Sequence, residues 1–290
     1  MPSDPWTRAA RQLQQTWPAV LAGDVDAVHK ARVATRRLRE ALPVLEGDRG
    51  ARRLRKDLRG LTRVLGPIRE LDVTIGLVVR LLHDEPSMET ALEPMRVHLM
   101  EARIRRRFEL LQRVDEVDVA GIVARVRKLS TAAPDLVPAP RHVNRDEVGR
   151  RIAGRTAALC DAVDDAGALY APEPLHAVRI AVKKLRYALE VARTARIPGA
   201  AKQAARLKRF QDLLGEWHDW QVLADHAARV QASLPVEDVR MAEFTTLVAH
   251  VEDRCRALHA DFLMRRSDLL SLVSDIETAF AEHSDVTNEP

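Results

Sequence analysis

The feature that most limits what this chain can become is a charged motif written twice at helical spacing. His29-Lys-Ala-Arg32-Val-Ala-Thr-Arg36-Arg37-Leu38-Arg39 recurs, 147 residues later, as His176-Ala-Val-Arg179-Ile-Ala-Val-Lys183-Lys184-Leu185-Arg186. Leu65-Gly66-Pro67-Ile68-Arg69-Glu70 is answered, at an offset of 149, by Leu214-Gly215-Glu216-Trp217-His218-Asp219. Two extra loop residues account for the change of offset. A duplicated bundle needs only its apolar pattern in order to pack, so a repeat kept in its charges points to a duplicated function.

Around both motifs the apolar residues follow a helical period, broken by short Pro or Gly interruptions. The spacing predicts helices near 4–21, 25–45, 49–65, 68–83, 87–114 and 118–131, then near 145–168, 174–195, 199–214, 217–233, 236–266 and 268–283. No strand alternation competes with this pattern, and only 4% of residues are aromatic. The expected fold is all-α: antiparallel helical bundles in two repeats, 4–131 and 145–283, joined by a linker over 132–144 that holds Pro134, Pro138 and Pro140.

On a helical wheel with His29 at 0°, Arg32, Arg36 and Arg39 fall at about 300°, 340° and 280°. The apolar set from Val28 to Leu45 covers about 120° to 260°, so the basic stripe borders the core. His176, Arg179, Lys183 and Arg186 trace the same arc, and Arg37 and Lys184 stand about 80° from the histidines. No carboxylate is expected on these arcs. In the next helix Arg52, Arg55, Lys56, Arg59 and Arg63 share a face; in the second half Lys208 matches Arg59, while Asp212 replaces Arg63. The run Arg103, Arg105, Arg106 and Arg107 is a further candidate for the same surface.

Crowded cations are unfavourable at i,i+4 spacing without anions to relieve them. Arginine suits such a role, because its planar fork donates two parallel hydrogen bonds to phosphate oxygens. The overall charge of +4 hides this segregation: 39 of the 46 basic residues are Arg, and none lies between Ser267 and Pro290. That acidic tail is a candidate to occupy the basic surface in the free protein. Glu70, Asp72 and Asp219 follow Gly at an expected helix junction, where capping or ion pairing is the plain reading and Mg²⁺ binding the alternative. Trp217 and Trp220 are read as core. Cys160 and Cys255 form no metal spacing and are read as small buried residues. The N-terminus lacks an apolar signal core and no window is long enough to span a membrane, so a cytoplasmic location is expected.

Taken together, the duplicated motifs resemble those of the CHAD family, the conserved-histidine α-helical domain. The resemblance rests on His-x-x-Arg-x-x-x-Arg/Lys-Arg/Lys-Leu-Arg at His29 and His176. It is reinforced by Leu65-Gly66-x-x-Arg69-Glu70-x-Asp72 and Leu214-Gly215-x-x-His218-Asp219, and it covers about residues 4 to 283 as a single domain. It implies two four-helix-type bundles related by a pseudo-two-fold, with a basic groove or pore between them. It also implies binding of inorganic polyphosphate and association with polyphosphate granules. Carried over by position, the implied contacts are His29, Arg32, Arg36, Arg39, Arg59 and Arg63, with His176, Arg179, Lys183, Arg186 and Lys208. Arg37 and Lys184 match the motif as well, and Arg52 and Lys56 extend the face of Arg59. Glu70 stands where the family usually has Asp.

Non-catalytic polyphosphate binding is therefore the leading expectation, with no cofactor and no bound metal. Nucleic-acid binding is the first alternative, set back by the scarcity of aromatics for base stacking. Phosphate transfer or hydrolysis using His and Asp with a divalent metal is the second. Its difficulty is that carboxylates to hold Mg²⁺ are missing from the basic stripes. No phosphate-cradling glycine loop or nucleophile elbow is present.

Overall fold

A computed structural model describes residues 5–41, 49–113, 117–131, 145–194, 196–235 and 237–285. The expected linker, 132–144, lies outside them. Contacts divide the chain into two compact units, Met1–His142 and Val143–Pro290. All regular structure among the described residues is helical.

The first unit contains α1 (Pro5–Ala22), α2 (Val25–Ala41), α3 (Arg49–Asp84), α4 (Glu89–Gln112) and α5 (Val119–Thr131), with a 3₁₀ turn at Pro86–Met88. α1 packs on α2, α2 on α3 and α3 on α4, while α5 returns against α1 and α3. The α1–α2 corner is set by local chemistry. Gly23 takes φ +91°, and the amides of Gly23 and Asp24 donate to the carbonyls of Val20 and Ala19, closing the helix in a Schellman motif. Asp24 then caps α2, its Oδ1 accepting from the Ala27 amide at 2.6 Å. The core of this unit is aliphatic, with Leu13, Leu38, Leu54, Leu58, Leu61 and Leu65 all buried.

The second unit repeats the order with α6 (Arg145–Asp165), α7 (Pro172–Thr194), α8 (Ala200–Ser233), α9 (Met241–Met264) and α10 (Arg266–Asp285). α6 packs on α7, α7 on α8 and α8 on α9, while α10 returns against α6 and α8. Trp217 and Trp220 are buried here, as expected, and Cys255 is buried while Cys160 is half-buried.

One expectation is corrected. Each unit shows five helices among the described residues, because 49–65 and 68–83 fuse into α3, and 199–214 and 217–233 fuse into α8. Gly and Pro inside a helix cost about 1 and about 3 kcal/mol. Burying Leu or Ile gains about 1.5–3 kcal/mol each, so Leu61, Leu65, Ile68 and Leu71, all buried around Gly66 and Pro67, outweigh that cost. The helix expected near 268–283 is present as α10, where Leu269, Leu272, Val273, Ile276 and Phe280 are buried and Asp275 accepts a 2.6 Å bond from Arg206; the side chains of the acidic tail beyond Phe280 lie outside the described ones. Its last residues, 286–290, lie outside the described residues.

Candidate functional site

In the first unit the basic stripe of α2 lies along α3, and the two helices run antiparallel. Stepping forward from His29 to Arg32 to Arg39 on α2 steps back from Arg69 to Gly66 to Thr62 on α3. Desolvation by its neighbours, then the charges of Arg69 and Arg36 and finally that of Arg32, push the exposed His29 below the usual histidine value, against the opposing pull of Asp26. The shift favours the neutral imidazole, which keeps one N–H to donate.

Arg32 runs close against the backbone of α3 at Gly66. A Cβ built on Gly66 would lie 3.2 Å from Arg32 Nη1, so the glycine leaves the space along which the guanidinium runs. Arg39 Nη1 donates to Thr62 Oγ1 at 3.3 Å. On the wheel of α3, with Gly66 at 0°, Arg55 and Arg59 stand within about 20° and Arg52, Arg63 and Lys56 at about 40°, 60° and 80°. Arg52, Lys56, Arg59 and Arg63 are exposed, as is Arg37 on α2, whereas Arg32 and Arg36 are half-buried. The first unit thus carries a row of cations along α3, joined at one end by the His29, Arg32 and Arg36 set.

The second unit keeps the register and changes the chemistry. His176 meets His218, the counterpart of Arg69, with ring centroids 5.1 Å apart. Nothing lies within 4 Å of a Cβ built on Gly215, so this glycine does not seat Arg179 as Gly66 seats Arg32. Arg186, counterpart of Arg39, donates through Nε to Gln211 Oε1 at 2.6 Å and through Nη1 to Glu190 Oε1 at 2.6 Å. Its guanidinium also lies 5.2 Å from the Tyr187 ring centroid. Lys208 forms an ion pair with Asp212, one turn on. Arg179 and Lys183 are half-buried and Lys184 is exposed.

The expectation that no carboxylate shares the basic arc therefore fails, and on α2 the sequence already breaks it, since Glu40 follows His29 by eleven residues and returns to about 20° on its wheel. Glu190 follows His176 by almost four helical turns, which returns it to about 320° on the same wheel.

The arginine run on α4 is corrected as well. Arg103 Nε donates to Asp72 Oδ1 at 2.5 Å and Nη2 to the Gly23 carbonyl at 2.8 Å, and Arg107 Nη2 donates to the Leu21 carbonyl at 3.0 Å. These two side chains satisfy carbonyls exposed by the end of α1. Arg105 and Arg106 pair with Glu101 and Glu109 on their own helix. Asp72, its side chain wholly buried, is an ion-pairing residue. It does not cap a helix, since α3 continues through it, and the same continuity in α8 removes the junction expected before Asp219.

Sequence reasoning passed over Arg69 and His218 as site residues. Their signal was present: they occupy matched positions in the second repeated motif. Among the described residues no three His, Cys, Asp or Glu side chains come together as a metal-ligand group. None of the helices there is long and apolar enough to cross a membrane.

Comparison with known proteins places this arrangement. Uncharacterized proteins from two strains of Mycobacterium tuberculosis are each 30% identical over 282 aligned residues, which cover 88% of this chain and 52% of theirs. The chain spans about half the length of these curated relatives. PptA from Streptomyces chartreusis is similar in structure, with a TM-score of 0.60 at 17% identity over 96% of each chain. The CHAD domain from the plant Ricinus communis gives 0.54 at 20% identity, over 95% of this chain and 89% of its own. At such identities these two likenesses speak for the shared all-α fold. A family model for the CHAD domain matches residues 6–228, and with both copies of the motif inside that span, the chain belongs to the CHAD family.

Proposed function

We propose that this protein binds inorganic polyphosphate without catalysing its breakdown, and that this binding holds it on polyphosphate granules. The observation that carries the reading is the cluster at the α2–α3 contact, where Arg32 runs against Gly66, Arg39 reaches Thr62, and His29, lowered first by desolvation, also feels the charges of Arg69, Arg36 and Arg32. Cations gathered closely enough to shift a neighbour's titration gain from a dense anion, and a linear phosphate polymer supplies one charge after another at short spacing. Arg59, Arg63, Arg52 and Lys56 continue the track along α3. His176, Arg179, Lys183 and Arg186 form its counterpart in the second unit, with Lys208 and the outward Arg37 and Lys184 at the margins. Such binding rests on charge-assisted hydrogen bonds, and its affinity falls as salt rises.

Calorimetric titration with long-chain polyphosphate at near-physiological salt, with single-stranded DNA as competitor, tests the reading. Tight binding that DNA does not displace is expected, with no release of orthophosphate when Mg²⁺ is added. Arg32→Glu combined with Arg179→Glu should abolish binding while the helical circular dichroism persists. Preference for DNA, or full affinity in the double variant, overturns the proposal.

A further inference from the structure

α4 carries an exposed apolar stripe that the first unit's own packing leaves uncovered. Val97, Met100, Ile104, Phe108 and Leu111 stand out of the surface, Ile104 and Phe108 at 65% and 60% exposure. With Ile104 at 0°, all five fall within about 40° of one line along the helix.

The sister helix shows that the fold does not require this stripe. Leu92, Met95, Leu99 and Leu110 of α4 are buried, and 152 residues later so are Phe244, Leu247, Val251 and Phe262 of α9. The same offset carries Val97, Met100, Ile104 and Phe108 onto Ala249, Glu252, Arg256 and Ala260, and Leu111 alone onto a large apolar residue, Leu263. Two helices with the same buried face thus differ on the outer one: α9 is small or charged at four of the five matched positions, where α4 is large and apolar. Contiguous exposed apolar residues of this kind mark an interaction surface.

The order of residues selects the occupant. Val97 and Leu111 lie equally far from Ile104, and so do Met100 and Phe108. A two-fold axis through Ile104 therefore sets Val97 against the partner copy's Leu111, Met100 against its Phe108, and Ile104 against itself. The charges agree. Glu101 and Arg105 border the stripe on one side, are exposed to 60% and 61%, and make only a loose 3.8 Å contact with each other. In an antiparallel pair that border faces its own copy, so each Glu101 meets the other's Arg105.

We infer that α4 is a self-association surface, through which two copies of this chain pair by antiparallel contact of their α4 helices about Ile104. A contact along a single helix of about 36 Å lies at the small end of specific interfaces. The dimer is consequently concentration-dependent, with each copy folded by itself.

Sedimentation equilibrium of the full chain, without polyanion and over a rising protein concentration, should show monomer passing to dimer. Ile104→Glu places two like charges on the axis and should weaken the dimer by at least about a hundredfold. Arg256→Glu, at the matching position of α9, should leave it unchanged. Glu101→Arg should weaken association, and adding Arg105→Glu should restore it. In a Cys160→Ser background, Ile104→Cys should form a disulfide-linked dimer under mild oxidation, whereas Val97→Cys should cross-link to Leu111→Cys and not to itself. A monomer at every concentration, a dimer indifferent to Ile104→Glu, or self-linked Val97→Cys overturns the inference.

Discussion

At one corner the two units solve the same packing problem with opposite chemistry. In the first, Arg103 of α4 reaches buried Asp72 of α3 and the carbonyl of Gly23. The offsets of the repeat carry these three positions onto Cys255, Gln221 and Tyr170. There the Tyr170 hydroxyl donates to Gln221 Oε1 at 2.5 Å and accepts from Trp217 Nε1 at 3.3 Å. Burial raises Tyr170 to about 12 and Cys255 to about 11, so the second corner is neutral where the first is ionic. The basic tracks diverge likewise. Glu190 and Asp212 answer cations of the second unit, whereas in the first a glycine makes room for an arginine. One backbone plan thus supports two tracks of different make-up, since α3 offers Arg52, Arg55, Lys56, Arg59 and Arg63 where α8 keeps only Lys208 at the matched positions, paired with Asp212, and the first unit is expected to carry most of the affinity.

The largest effect should come at the corners. Asp72→Asn leaves the half-buried charge of Arg103 with the Gly23 carbonyl but no carboxylate, and breaking such a pair costs up to about 3–5 kcal/mol. Tyr170→Phe removes a neutral hydrogen bond, at about 1–2 kcal/mol. Urea unfolding of both variants measures the difference, and equal losses would break the comparison. The next effect concerns binding. Arg32→Glu with Arg36→Glu should lower polyphosphate affinity about a hundredfold, and Arg179→Glu with Lys183→Glu about tenfold. Titration calorimetry decides between this order and its reverse.

Gly66→Leu should weaken binding about fivefold by filling the space that Arg32 uses. Gly215→Leu, at an open position, should leave affinity unchanged. The smallest effect is that of pH. His29 sits below its usual value in the free protein, and a bound polyanion favours its charged form and raises it. Binding therefore takes up a proton between those two values. Affinity should rise about twofold to threefold as pH falls through the bound value, then level off below the free one. His29→Gln should flatten this dependence, and an unchanged profile would remove His29 from the track.

Much of this was legible from periodicity and repetition. The wheel placed Arg32 and Arg36 beside the core, and both are half-buried. Other points were illegible for identifiable reasons. Gly66 and Pro67 read as a break, because local propensity carries no record of the four buried residues that hold α3 together. Arg103 and Arg107 read as ligands, because the carbonyls they satisfy belong to residues some eighty positions earlier. Glu190 went unnoticed on the basic arc because a spacing of fourteen looks distant in a linear reading.

By itself the sequence determined that the chain is helical, that it is doubled, and that its repeated residues are basic. Helical period and repeat offset are properties of order along a line, and no neighbour is needed to read them. The tertiary structure alone decided which cations join the track and which are spent within the fold. An arginine's role is set by what lies within about 3 Å of its guanidinium, and those atoms come from other helices.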